Sequence, residues 1–93
     1  THTMGTIVGR FTGTAPGVRW MTARACTEDG CLQSDLTAAA EFVLCGGDHL
    51  KCERGAWVVS NSWGATSADG MTWFRPIGKV WQRAGITAVF AAD

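Results

Sequence analysis

The stretch GITAVFAA, residues 85–92, is apolar at nearly every position. A strand with one face in water alternates apolar and polar side chains, whereas a strand covered on both faces of a parallel sheet is apolar throughout. The stretch therefore predicts a strand buried on both faces of a parallel sheet. Because parallel strands are joined by a crossover that is usually a helix, a helix and an earlier strand should precede it.

The residues before this stretch fit that requirement. In MTWFRPIGKVWQRAG, residues 71–85, a helical spacing of apolar side chains predicts an inward stripe of Phe74, Ile77, Trp81 and Ala84. Pro76 is compatible with a helix only in its first turn, and a glycine at residue 85 is a plausible end. AWVVSN, residues 56–61, is short and apolar and predicts the earlier strand.

The first half of the chain repeats the pattern. SDLTAAAEFVLCGG, residues 34–47, predicts a helix whose apolar face comprises Leu36, Ala39, Ala40, Val43 and Leu44. GVRWMTARA, residues 17–25, predicts a strand, and the opening run up to Gly9 predicts a short helix. The order is helix and then β-α-β-α-β, which predicts an α/β fold with helices flanking a parallel sheet. Residues 1–93 are expected to form part of one larger domain, because three strands leave such a sheet with unpaired edges.

Composition argues against several classes of protein. Eight basic and eight acidic side chains cancel, and no segment concentrates one sign, so neither a nucleic-acid surface nor an anionic-membrane patch is expected. No apolar run approaches the roughly 20 residues of a membrane-spanning helix. No glycine-rich phosphate-binding loop follows a predicted strand, which argues against a nucleotide-binding module.

The four cysteines form two close pairs. Cys26 and Cys31 bracket CTEDGC, and Cys45 and Cys52 bracket CGGDHLKC. Short, turn-rich loops closed by cysteines favour two local disulfides in an oxidising compartment. Free buried thiols and a zinc site that adds His49 to the cysteines remain alternatives, although the spacing matches no common zinc pattern.

Candidate site residues follow the predicted strands. In open parallel sheets, ligands collect where the strands end, which selects CTEDGCLQ (26–33), NSWG (61–64) and AAD (91–93). Backbone exposed around a glycine there can pair with an extended peptide. Ser62 lacks the G-x-S-x-G context of a nucleophile, and no complete catalytic set is present.

Four segments in order resemble the catalytic domain of subtilisin-like serine proteases (subtilases), in particular secreted, bacillopeptidase-type members. THTMGTIVG (1–9) resembles the end of the family's histidine motif, His-Gly-Thr-His-x-x-Gly-Thr, and TAPGVRWMTARA (14–25) resembles a conserved turn and strand of the family. VVSNSWG (58–64) is similar to the substrate-wall segment, and AGITAVFAA (84–92) to the strand that leads to the oxyanion asparagine. The resemblance implies a subtilisin-like fold and a secreted endopeptidase.

The resemblance implies an Asp–His–Ser triad and an oxyanion hole. His2 matches the second, supporting histidine of the motif, so the catalytic histidine is expected before Thr1. The catalytic aspartate is expected further upstream and the serine downstream, so no catalytic residue is assigned within residues 1–93. Asp93 falls at or next to the oxyanion position.

The resemblance also implies how substrate binds. Ser62, Trp63 and Gly64 match the segment that flanks the primary specificity pocket, and Gly30, Cys31 and Leu32 match the opposite edge segment. An extended peptide or protein substrate would bind as a β-strand between the two. No cofactor is expected, because the loop RFTGTAPG (10–17) lacks the oxygen ligands of the calcium loop common in the family.

Two expectations concern the chain in isolation, and one alternative stays open. Residues 1–93 alone should show no protease activity and only marginal stability, and should need the remainder of the catalytic domain as a partner. The alternative is a degenerate, non-catalytic subtilase homologue that binds peptides without cutting them.

Overall fold

The computed structural model describes residues 1–47, 52, 55–65 and 68–92. Its α-helices are α1 (His2–Val8), α2 (Gln33–Cys45) and α3 (Arg75–Arg83), and a 3₁₀ helix (Ala68–Phe74) leads directly into α3. Its strands are β1 (Cys26–Thr27), β2 (Gly30–Cys31), β3 (Val58–Asn61) and β4 (Thr87–Phe90). The described residues therefore form a mixed α/β fold with small sheets.

Strands β3 and β4 form the parallel pair that the sequence predicts. Val58 lies opposite Thr87, and Asn61 lies opposite Phe90. Two further backbone hydrogen bonds extend the pairing at its ends, from Thr87 N to Trp57 O at 2.9 Å and from Ala91 N to Asn61 O at 3.0 Å. The 3₁₀ helix and α3 together form the crossover that a parallel connection requires.

Helix α3 begins and ends where the sequence indicates. Pro76 lies in the first turn, where its missing N–H leaves no hydrogen bond unmade. Gly85 has φ of 80°, a left-handed conformation that favours glycine and stops the helix. Trp81 is buried, but Ala84 is exposed, so the predicted inward stripe is wrong at its last position. The reason is that Ala84 is the C-cap, one residue past the last helical turn.

Helix α2 also presents its predicted apolar face to the core. Leu36 and Ala40 are buried, and Val43 and Leu44 pack partly against the core. Gly46 ends the helix in the left-handed conformation, with φ of 66°. The two helices are joined directly, because the Trp81 indole Nε1–H donates to the Ala40 carbonyl at 3.2 Å.

Aromatic side chains fill the space between the helices and the sheet. The Phe74 ring lies edge-to-face against four others, with centroid distances of 5.0 Å to Trp63, 5.3 Å to Trp73, 5.3 Å to Trp81 and 6.0 Å to Phe90. Such arrangements place the positive edge of one ring against the negative face of another. The core is therefore built around one phenylalanine that contacts the crossover, the sheet and the segment after β3.

The predicted strand at residues 17–25 is wrong. No strand occurs there, and Val18 and Trp20 are 50% and 60% exposed. A strand is stable only when its backbone groups pair with a neighbour, and the described residues provide no strand that pairs with this segment. The first strands of the chain come directly after this segment, where β1 and β2 form an antiparallel hairpin.

The prediction that residues 85–92 are buried on both faces is also wrong. Val59 and Ala88 pack against the core on one face of the β3–β4 sheet, whereas Val58 and Val89 on the other face are more than half exposed. The described residues form only a two-stranded parallel sheet, covered on one face. The predicted three-layer arrangement of helices on both faces of a longer sheet is therefore not formed by these residues.

The predicted disulfides are confirmed. Cys26 bonds to Cys31, and Cys45 bonds to Cys52. The alternatives of free thiols and a zinc site are wrong, because all four sulfur atoms are consumed in disulfide bonds. His49, the nitrogen ligand of the zinc alternative, lies outside the described residues. Within the described part of the chain, no helix is long and apolar enough to cross a membrane.

Trp81→Ala should lower the free energy of unfolding by about 3–5 kcal/mol, because it leaves a cavity in the core and removes the hydrogen bond from the indole to the Ala40 carbonyl. Trp57→Ala removes the same side chain from a position 78% exposed, against 3% for Trp81, and should have little effect. Urea unfolding followed by circular dichroism measures both. Equal destabilisation by the two variants would contradict this account of the core.

Candidate functional site

A cleft of about 200 Å³ lies between the β2–α2 junction and the segment that follows β3. Its lining comes from the hairpin, the start of α2, the segment after β3 and the 3₁₀ helix: Cys31, Gln33, Leu36, Trp63, Gly64, Ala65, Gly70, Met71 and Trp73. Two segments that the sequence singles out as candidate site residues therefore meet at one cleft.

The β1–β2 hairpin forms one wall of the cleft. Its ladder contains only two residue pairs, Cys26 with Cys31 and Thr27 with Gly30. A ladder this short has little stability of its own, so the Cys26–Cys31 disulfide is the main restraint on the wall. Gly30 has φ of 122°, a conformation that side chains disfavour, which explains the glycine at the turn. Leu32, next along the chain, is exposed.

The opposite wall is formed by Trp63 and Gly64. The Trp63 ring packs edge-to-face on Phe74 and Phe90, with centroids 5.0 and 6.0 Å away. Its indole Nε1–H donates to Asn61 Oδ1 at 3.1 Å. This wall is thus fixed by the hydrophobic core and by a hydrogen bond from the end of β3.

Asn61 belongs to the candidate segment NSWG (61–64), but the sequence predicted no role for it. It is 5% exposed and is the one buried polar side chain among the described residues. Its Nδ2 donates to Val89 O at 3.2 Å and to Val59 O at 3.5 Å. A polar residue at the end of an otherwise apolar strand is the signal that could have identified it, because burial is tolerated only with hydrogen-bond partners.

Ser62 and His2 do not line the cleft. Ser62 is exposed, and its Oγ donates to Thr3 Oγ1 at 3.3 Å, which connects α1 to the segment after β3. His2 is the first residue of α1 and is exposed. In this arrangement the Ser62 hydroxyl bonds to another hydroxyl, which is no base that could activate it as a nucleophile.

The predicted site residues are brought together in part. Cys31, Trp63 and Gly64 line the cleft, whereas Gly30, Leu32 and Ser62 adjoin those lining residues in the chain. Asp93 lies outside the described residues. Sequence reasoning missed three apolar contributors, Leu36, Met71 and Trp73. Leu36 was assigned to the apolar face of its helix, and Met71 and Trp73 were given no place at the cleft.

The chemistry of the cleft is that of binding. Among the described residues that line it, none carries an ionisable side chain, and Cys31 is held in a disulfide. The lining offers apolar rings, a thioether, an amide side chain and backbone groups at Gly64. Such a surface can hold a chain of another molecule, but it supplies no acid, base or nucleophile.

Comparison with known proteins decides the family. The model of the subtilase family matches residues 1–92. The chain belongs to the subtilase family. It is 36% identical over 101 aligned residues to bacillopeptidase F of Bacillus subtilis (strain 168), an alignment that covers 99% of this chain. No solved structure matches the chain significantly.

The family predicted from the four motifs is therefore confirmed. This subtilase chain spans only 7% of the length of bacillopeptidase F. The described cleft of the subtilase chain joins the segments that resemble the two sides of the family's substrate-binding region.

Cys26→Ser/Cys31→Ser should lower the free energy of opening the hairpin wall by about 2 kcal/mol. This is the loop-closure value for a disulfide across so short a loop, about 2 kcal/mol. Amide hydrogen exchange should therefore accelerate in residues 26–31, while the β3–β4 ladder keeps its protection. Cys45→Ser/Cys52→Ser is the matched control, since it removes a disulfide of similar size away from the cleft lining. Unchanged exchange in the hairpin would contradict the assigned restraint.

Proposed function

We propose that this chain forms the peptide-binding part of a secreted serine endopeptidase. In this proposal, peptide bonds are hydrolysed by an Asp–His–Ser triad whose members lie outside residues 1–93. The serine attacks the scissile carbonyl, the histidine transfers the proton, and the aspartate orients the histidine. Membership of the subtilase family supports this reaction, since subtilases are serine peptidases that act on proteins.

The observation that carries the proposal is the cleft between two chain segments. Gly30, Cys31 and Leu32 would contact one side of an extended peptide, and Ser62, Trp63 and Gly64 the other. Cys31, Trp63 and Gly64 line one cleft, which is consistent with both segments serving a single ligand. Backbone groups of the two segments would bind the peptide as an added strand.

Gly64 supports the proposal for a steric reason. A Cβ placed on it would meet no atom within 4 Å, and its φ is not in the positive range that favours glycine. The fold of the described residues therefore does not require glycine here. A glycine that packing and backbone geometry leave free is well suited to close approach by the backbone of a ligand.

Two residues receive roles from the family resemblance alone. His2, the first residue of α1, would support the catalytic histidine. Asp93 would lie at or next to the oxyanion position, where its backbone N–H could stabilise the oxyanion. A side-chain carboxylate there would repel the developing negative charge, so the backbone group is the useful donor.

The two disulfides support a location outside the cytoplasm. Both form across short loops, and disulfides persist mainly in oxidising compartments. We therefore assign the protein to the extracellular space, with extended peptides or proteins as its partners. Balanced charge gives no reason to expect binding to nucleic acid or to anionic membranes.

The reaction can be tested with a fluorophosphonate probe on the full-length product of the gene that encodes this chain. We expect labelling of that product and hydrolysis of a peptide substrate, and no labelling of residues 1–93 alone. Ser62→Ala should still be labelled, because the Ser62 hydroxyl bonds to Thr3 rather than to a base. Loss of labelling in Ser62→Ala would contradict the proposed location of the nucleophile. A full-length product that binds peptide without labelling would instead identify a non-catalytic homologue.

Gly64→Ala should raise KM for a peptide substrate by about tenfold, because the added methyl group separates the substrate backbone from the wall and weakens hydrogen bonds to it. Gly17→Ala is the matched control. A Cβ at Gly17 also meets no atom within 4 Å, and Gly17 does not line the cleft. Both variants should keep the wild-type unfolding midpoint. Equal KM values in the two variants would exclude Gly64 from substrate contact.

A further inference from the structure

We propose that Asn61 is a positioning residue that fixes the Trp63 ring as a wall of the peptide-binding cleft. The inference rests on the proposed function, since it concerns how that site is held. It follows from the hydrogen bonds of one buried amide, and it assigns a role to a residue that does not line the cleft itself.

The Asn61 side chain joins three parts of the structure. Its Nδ2 donates across the sheet to Val89 O on β4 at 3.2 Å, and to Val59 O on its own strand at 3.5 Å. Its Oδ1 accepts the indole Nε1–H of Trp63 at 3.1 Å. The two donor hydrogens hold the amide in one orientation, and that orientation aims the oxygen at the indole.

A carboxamide suits this position because it donates and accepts at the same time. An aspartate would keep the acceptor for Trp63 but lose the donor to Val89 O and bring a charge into a buried site. A leucine of similar shape would lose both bonds. The two substitutions therefore separate the hydrogen bond to Trp63 from the contribution to the stability of the sheet.

Trp63 needs such a partner because edge-to-face contacts alone do not fix the direction of its N–H. The ring touches Phe74 and Phe90 on the core side and faces the cleft on the other. Trp63 is half-buried, and an indole N–H that loses its acceptor there is costly, so losing Asn61 Oδ1 favours rotation of the ring toward water. Rotation would move the wall of the cleft.

The test compares Asn61→Leu, Asn61→Asp and Trp63→Phe in the full-length product. Hydrogen exchange of the Trp63 indole, assigned by its absence in Trp63→Phe, should accelerate about three- to tenfold in Asn61→Leu and stay near wild type in Asn61→Asp. We define the substrate ratio as kcat/KM for a long peptide divided by kcat/KM for a single-residue ester. This substrate ratio should fall by a similar factor in Asn61→Leu. Ser60→Ala, on the opposite, exposed face of β3, should change neither quantity.

The unfolding midpoint separates positioning from stability. Asn61→Asp should be the less stable variant and yet keep the larger substrate ratio. If the substrate ratio follows stability, with Asp worse than Leu, the positioning role is wrong. Faster hydrogen exchange of the Trp63 indole in Asn61→Leu, together with an unchanged substrate ratio, would also overturn the positioning role. That result would leave the proposed function intact. A wild-type product that binds no peptide would overturn both.

Discussion

The contact on which the rest of the structure depends is the packing of Phe74 at the end of the 3₁₀ helix. Its ring meets Trp81 of α3, Phe90 of β4 and Trp63 after β3, with centroid distances of 5.3, 6.0 and 5.0 Å. These contacts seat the crossover helix against the parallel strands and at the same time support the cleft. The same buried cluster contains Ala40, Trp81 and Ile86, so the packing of Phe74 ties the covered face of the sheet to both helices.

The two walls of the cleft are stabilised by different interactions. The hairpin wall has only two residue pairs and depends on the covalent Cys26–Cys31 bond, whereas the Trp63 wall depends on aromatic packing and on the Asn61 amide. Disulfides persist mainly in oxidising compartments. Neither wall contributes an ionisable group to the described lining, which agrees with the proposed role in peptide binding rather than in proton transfer.

Several features could be predicted because they depend on local patterns. The helical spacing that includes Leu36 and Ala40, the position of Pro76 and the two short cysteine loops all act within a few residues, and the structure confirms each. The strand at residues 17–25 failed, because a strand needs a partner that its own residues cannot supply. The family resemblance placed the two segments on opposite sides of one extended substrate. Met71 and Trp73 were missed, because their spacing does not reveal which side of the 3₁₀ helix faces a cavity.

The sequence by itself determined the family, through four motifs in order, and the local elements that those motifs contain. Tertiary structure alone decided which face of the β3–β4 sheet is covered, that Cys31 and Trp63 line one cleft, and that the Asn61 amide bridges Val89 and Trp63. The physical reason is distance along the chain. Helical period, proline position and short disulfide loops are set by neighbours in sequence, whereas burial and side-chain hydrogen bonds across the sheet depend on residues that meet only after folding.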